Sequence, residues 1–257
     1  MFRNVVAAII LIVVFSSHVN SQETATIHID IGEKLRNEFK YQESLEAFLK
    51  AHHIEPKNSE AIWRVVRAYV NLGDKEESKT KKKSLYLKAE EYARKSIKID
   101  ANSSYCHTYL AIAVGQVALL EGGKKKVRYS KEIKDEAMKA IELDQNNDIA
   151  YHILGRWHRE VANLSRILKG FAKMLYGGLP KASNEEAVKF FKKAIEIRPT
   201  SINHHLELAK TYQRMKEWKL ALKEIDEVDR LPQTDPNDEE YKQEAKRMRA
   251  EIEKKLR

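Results

Sequence analysis

Five short segments of the chain end in the same way. HHIEPKN (52–58), SIKIDAN (96–102), AIELDQN (140–146), AIEIRPT (194–200) and EVDRLPQ (227–233) each close an apolar-periodic run with an acidic-apolar stretch and a Pro or polar stop. Such self-similarity constrains the fold more than composition does. Each segment becomes one supersecondary unit that buries its apolar face only by stacking on a neighbour. With Pro56, Ala101, Gln145, Pro199 and Gln233 as equivalent points, the spacings are 45, 44, 54 and 34 residues. A 34-residue unit with insertions of 11, 10 and 20 residues accounts for all four spacings.

Composition agrees with helix. Lys, Glu, Ala, Leu and Ile dominate, and 257 residues hold only 9 Gly and 5 Pro, too few for the turns of an all-β fold. Within the unit, small and large residues recur at fixed places. The first unit has Ile31-Gly32, Leu35, Ser44, Phe48, Ala51 and Pro56. The fifth has Leu208-Ala209, Tyr212, Ala221, Ile225 and Val228, and the second half of the fourth has Ala187, Phe191, Ala194 and Pro199. The second keeps Tyr69, Ala89, Ala93 and Ser96, the third only Ala137 and Ala140. Small residues let two helices approach, and large ones fill the space between units. This pattern resembles the tetratricopeptide repeat. The expected fold is all-α: a right-handed α-solenoid of about five helix pairs (units near 25–58, 59–102, 103–147, 148–201 and 202–235). Residues 238–257 form a charged C-terminal capping helix, with Asp238 as its N-cap. The repeat domain as a whole spans 22–237.

The N-terminus reads as an export signal. One cation, Arg3, precedes the apolar run Val5–Phe15, which is short for a bilayer span, and Val19-Asn20-Ser21 supplies a cleavage site after Ser21. The expected location is periplasmic or secreted, with an uncleaved N-terminal membrane anchor as the alternative. Cys106 is the only cysteine, so no internal disulfide forms, and a buried small side chain is its expected role.

The net charge of +9 is concentrated in places. The first two insertions carry Lys79, Lys81, Lys82 and Lys83, and Lys124, Lys125, Lys126 and Arg128. They read as solvated loop and helix-end charge, or as a basic edge facing acidic lipid, protein or glycan. Nucleic acid is not expected, because no aromatic residues interleave with the cations. The third insertion reads as one over-long helix. Ile153, Leu154 and Trp157 are followed by Val161, Leu164, Ile167, Leu168, Phe171 and Leu175 at steps of three and four, with Arg166, Lys169 and Lys173 off that face. Gly177-Gly178-Leu179-Pro180 ends it, and Ser183 with Glu186 opens the next helix as a capping box. Such a helix is expected to bend over the groove or shield its end.

The block from Ala150 to Tyr212 resembles the regulator of microtubule dynamics family of tetratricopeptide-like proteins. The likeness rests on His152, Leu154-Gly155-Arg156-Trp157, Glu160-Val161-Ala162, Leu164-Ser165, the Tyr176-Gly177 turn and Glu185-Glu186-Ala187. The resemblance implies a helical fold without a catalytic role, eukaryotic members at mitochondria, endoplasmic reticulum contacts and the spindle, and one branch associated with phospholipid. The export signal departs from the better-known members and favours a bacterial envelope setting.

The residues themselves support no catalytic site. HExxH, Gly-rich phosphate-loop and GxSxG motifs are absent, and the His52-His53 and His204-His205 pairs diverge on a helix, which makes them poor chelates. No metal and no cofactor are expected. The expected function is non-catalytic binding of a protein partner. The second reading is an anionic phospholipid or other amphiphile in the groove covered by 155–178, with peripheral membrane contact. Arg156 and Trp157 are the candidate contacts, joined by Arg166, Lys169 and Lys173. Each of the first two also has a plain structural reading, Trp157 as core and Arg156 as a carboxylate partner.

Overall fold

The computed structural model describes residues 25–179 and 181–256, without the side chains of residues 124, 175 and 176. The expected signal segment, 1–21, lies outside the described residues. All regular structure among the described residues is helical, and contacts divide it into two compact units, up to Asp100 and from Ala101 onward.

The first unit holds α1 (25–37), α2 (Tyr41–Ile54), α3 (Ser59–Lys75) and α4 (Lys79–Ile99). The second holds α5 (Ser104–Glu121), α6 (Gly123–Leu143), α7 (Asp148–Ala162), α8 (Arg166–Tyr176), α9 (Asn184–Ile197), α10 (Ile202–Met215), α11 (Trp218–Arg230) and α12 (Asp238–Leu256). The pairs are α1–α2, α3–α4, α5–α6, α7–α9 and α10–α11, with α8 inserted and α12 as the cap. The repeat positions are its core: Phe48, Ala51, Ala89, Ala93, Ala137, Ala140, Ala187, Phe191, Ala194, Ala221, Ile225 and Val228 are buried. Cys106 is buried with them.

Close helix approach depends on missing side chains. A Cβ on Gly155 of α7 would lie 2.8 Å from the Phe191 ring of α9, so glycine is the residue that lets these helices meet. Gly32 against Phe48 and Gly73 against Tyr86 repeat the arrangement in the first unit. Starts are set by side-chain caps. Asn58, Ser103, Asn147, Ser165 and Ser183 each accept a backbone N–H two or three residues on.

The insertions depart from expectation. The first two are not loops. They lengthen helices, so α3 to α6 run 17 to 21 residues against 13 and 14 in α11 and α10. Their lysines therefore stand in the first turns of α4 and α6, the helix end least favourable to cations. Lys125 is offset there by Glu121 at 2.6 Å and Lys126 by Glu160 at 3.2 Å. The third insertion is not one long helix. α7 stops at Ala162, and Asn163, Leu164 and Ser165 break the ladder before Ser165 Oγ caps Leu168 at 3.3 Å. The Asn163 amide donates to Asn184 Oδ1 at 2.8 Å, which ties the two ends of the excursion together.

Two further details differ. Asp238 is the first residue of α12 and is buried. Its carboxylate accepts from the N–H groups of Thr234 and Asp235, both at 2.7 Å, so it folds the preceding turn instead of capping the helix. Ser183 Oγ accepts from Glu186 N–H at 3.1 Å, but the Glu186 carboxylate pairs with Lys189 at 2.6 Å. The cap itself behaves as its pattern requires: Ala245, Met248 and Ile252 enter the core of the fifth pair while the rest of α12 is mostly solvated.

Candidate functional site

In the second unit the first helices form a row. α5 touches α7, α7 touches α10, and α10 touches α12. Between α7, α10 and α12 lies an open cleft of about 370 Å³. Its walls carry Arg159 and Glu160 from α7, Lys210, Gln213 and Arg214 from α10, and Glu244, Arg247, Met248 and Glu251 from α12.

The floor is a buried ion cluster. Glu207 of α10 is 6% exposed, and its carboxylate accepts from the Arg159 guanidinium. Arg159 also donates to the Glu207 carbonyl at 3.0 Å and to Thr211 Oγ1 at 3.5 Å. Lys210 Nζ reaches Glu207 Oε1 at 2.9 Å and Glu244 Oε1 at 2.8 Å. Arg156 stands further off, its Nε 3.8 Å from Glu207 Oε2. Burial pushes the Glu207 carboxyl up, but Arg159, Arg156 and Lys210 outweigh it and hold the group well below the usual carboxylate range. The anion therefore fixes Arg159 and Lys210 at the base of the cleft, with Arg156 at the edge of the cluster.

Higher on the walls, Arg214 and Arg247 are exposed and have no ion-pair partner among the described residues. Guanidinium groups recognise carboxylates through paired parallel N–H donors. The Glu251 carboxylate on α12 is likewise exposed and without an ion-pair partner among the described residues, so the walls carry two free cations and one free anion.

Behind the cleft runs a buried histidine chain. His152 Nδ1 and His204 Nδ1 are 2.9 Å apart, and His204 Nε2 is 2.8 Å from Asp148 Oδ2. The consistent tautomers have His204 donating to Asp148 and His152 donating to His204. Burial first, then the neighbouring His204, holds the His152 imidazole well below its ordinary value, so it stays neutral. His204 and His205 diverge as adjacent helix residues must, since His205 turns to Glu224 at 2.7 Å. No group of three or more His, Cys, Asp or Glu side chains that could hold a metal occurs among the described residues.

The sequence-derived candidates do not converge. Trp157 is buried, and its Nε1–H donates to Ser130 O at 2.6 Å and to Ser130 Oγ at 2.9 Å, so it packs α7 on α6. Arg156 is half-exposed and leans on the Glu207 cluster from its edge. Arg166, Lys169 and Lys173 lie on α8, which rests on α6 and contributes nothing to the cleft, so the insertion does not cover it. Lys169 is spent on the Ala162 carbonyl at 2.8 Å. Lys81, Lys82 and Lys83 belong to the first unit, and Lys125 and Lys126 to the second, where only the backbone of Lys124 is described. Sequence reasoning missed Arg159, Glu207, Arg214 and Arg247. One signal was available for the buried histidines: the pairs His107–Glu136 and His205–Glu224 are 29 and 19 residues apart, a difference equal to the third unit's insertion.

Comparison with known proteins agrees with this architecture. The solved structure of a thermophilic TPR protein in Thermus thermophilus superposes with a TM-score of 0.62 at 15% identity, covering 86% of this chain and 98% of that one. Pseudomonas aeruginosa pilF superposes at 0.53 with 13% identity, covering 92% of each chain. At these identities the likeness is one of fold. Regulator of microtubule dynamics protein 1 of Mus musculus is 32% identical over 169 residues, 65% of this chain and 55% of the relative. Regulator of microtubule dynamics protein 2 of Bos taurus is 28% identical over 236 residues, 91% of this chain and 57% of the relative. The chain thus spans little more than half the length of these two relatives. The sequence model of the family described as regulator of microtubule dynamics protein 1-3 matches residues 29–253. That match takes in α2 to α11 whole and most of α12, and the chain belongs to the regulator of microtubule dynamics family.

Proposed function

We propose that the chain is a non-catalytic helical-repeat scaffold whose α7–α10–α12 cleft docks an acidic segment of a partner protein. The observation that carries this reading is the pair of unsatisfied guanidinium groups, Arg214 and Arg247, above a base whose charges are already paired. The cleft is open, and Met248 alone among its lining residues is apolar, which suits a polar peptide far better than an acyl chain. An exported setting is part of the proposal on the strength of the Val5–Phe15 run. N-terminal sequencing of the processed chain, expected to begin at Gln22, tests that part.

A randomised peptide display selected on the whole chain tests the cleft. Selected peptides should be enriched in Asp and Glu, bind more weakly at high salt, and lose about tenfold or more in affinity to R214E/R247E. Apolar consensus peptides, or binding indifferent to the charge reversal, would overturn the assignment.

A further inference from the structure

The two most exposed large hydrophobic side chains among the described residues stand on one short helix. Ile167 is 84% exposed and Met174 is 73% exposed, both on α8. At about 100° per residue, Ile167, Gly170 and Met174 fall within an arc of roughly 60°. A Cβ on Gly170 would meet nothing within 4 Å, so the face between the two side chains is open. Arg166, Lys169 and Lys173 occupy the neighbouring arc and are exposed. The opposite side is already taken: Ala172 is buried and Leu168 and Phe171 are half-buried. Among the described residues of its unit α8 lies against α6 and no other helix, so none of these shields its outer face.

The charges on the segment that carries this face have one sign. Residues 161–184 contain Arg166, Lys169, Lys173 and Lys181 and not one Asp or Glu, in a chain with 38 acidic residues. A narrow apolar stripe flanked on one side by cations, on a segment without a carboxylate, matches a surface that is uniformly negative outside and apolar just beneath. We infer that α8 is a membrane-interface helix that seats Ile167, Gly170 and Met174 into the headgroup boundary of an anionic bilayer, with Arg166 and Lys173 on the lipid phosphates. Eleven residues are too few to cross a bilayer, so α8 lies in the plane. α8 belongs to the second-helix side of its unit, against α6, so this surface is separate from the cleft of the first-helix row.

The test must separate α8 from the apolar N-terminus, which could bring the chain to vesicles by itself. A nitroxide on Gly170→Cys does so, because the natural thiol, Cys106, is buried and escapes labelling. On the full chain bound to phosphatidylglycerol vesicles, the label should be accessible to oxygen and protected from a water-soluble relaxer. On phosphatidylcholine alone it should remain in water. R166E/K173E should cut partitioning of α8 into the anionic vesicles by about five-fold per charge or more, and I167E/M174E should abolish it, with unchanged thermal melts. Gly170→Trp should strengthen it and blue-shift its own emission. A label that stays water-accessible on vesicles carrying the bound chain overturns the inference. So does a label protected equally on neutral lipid, or one shielded only when a protein partner is added.

Discussion

Glu207→Gln should be the most informative single substitution in the second unit. Glutamine keeps the volume and one acceptor but removes the charge that neutralises Arg159, whose side chain is only 7% exposed. Arg159 would then rely on the neutral Glu207 carbonyl and Thr211 Oγ1, with the half-exposed Glu160 carboxylate 3.7 Å from its Nε as the one remaining anion. Breaking one side of a buried pair costs about 3–5 kcal/mol, and a residue that retains part of the hydrogen bonding belongs near the lower figure. For a unit of this size, about 2–4 °C of Tm per kcal/mol converts 3 kcal/mol into a fall of roughly 6–12 °C. The pH dependence has a definite sign. The Glu207 carboxyl titrates below its ordinary value of 4.5 in the fold, so its contribution is fully present above 4.5 and is lost only as pH falls further toward the folded value. Scanning calorimetry from pH 7 to pH 3, with Glu196→Gln as a control in the exposed Lys193–Glu196 pair, reads both effects. The control should lose no more than about 0.5 kcal/mol. If Glu207→Gln costs no more than the control, or if its deficit vanishes between pH 6 and 5, the buried cluster is not held as described.

Three further outcomes follow from the packing. Gly155→Val should destabilise by about 1–3 kcal/mol in urea melts, because its side chain would enter the Phe191 ring, whereas Gly170→Ala should be neutral or stabilising. Trp157→Phe should cost about 1–3 kcal/mol, since it leaves the Ser130 carbonyl without the indole donor and part of the buried indole volume unfilled. On acidification through pH 6.5 the neutral His152 destabilises the fold, because the unfolded chain takes up the proton that the buried imidazole refuses. His107, raised first by its hydrogen bond to Glu136, acts in the opposite sense: it stabilises below 6.5 and loses that contribution as pH rises through its folded value. His152→Leu should therefore reverse or flatten the acid loss, and His107→Leu should steepen it.

The helix pairs were legible because the repeat writes them twice, in the period and in the small and large positions. The spacing alone puts Ala187, Phe191 and Ala194 in a core, and all three are fully buried. The insertions were legible only in length. Counting residues tells how many are added but not whether they loop out or extend a helix, and α3 to α6 extend. The stop at Asn163 is a capping event: Ser165 offers an N-cap, and the helix restarts there although the apolar spacing runs straight through. The candidate site was least legible because it is made between units. Arg159 and Glu207 are 48 residues apart and His152 and His204 are 52 apart, so no local pattern announces them. Trp157, prominent in the sequence, turned out to serve α6 instead of the cleft.

A partner segment is expected in the α7–α10–α12 cleft. A photo-crosslinking amino acid at Gln213, inside the cleft, and at Lys193, on the exposed side of α9, would be introduced into the full chain in its own cells, and the joined peptides sequenced. An acid-rich protein segment should be captured at position 213, absent at 193, and lost when Arg214 and Arg247 are reversed to glutamate. Capture at 193 but not at 213, or capture at 213 that survives the charge reversal, would contradict it.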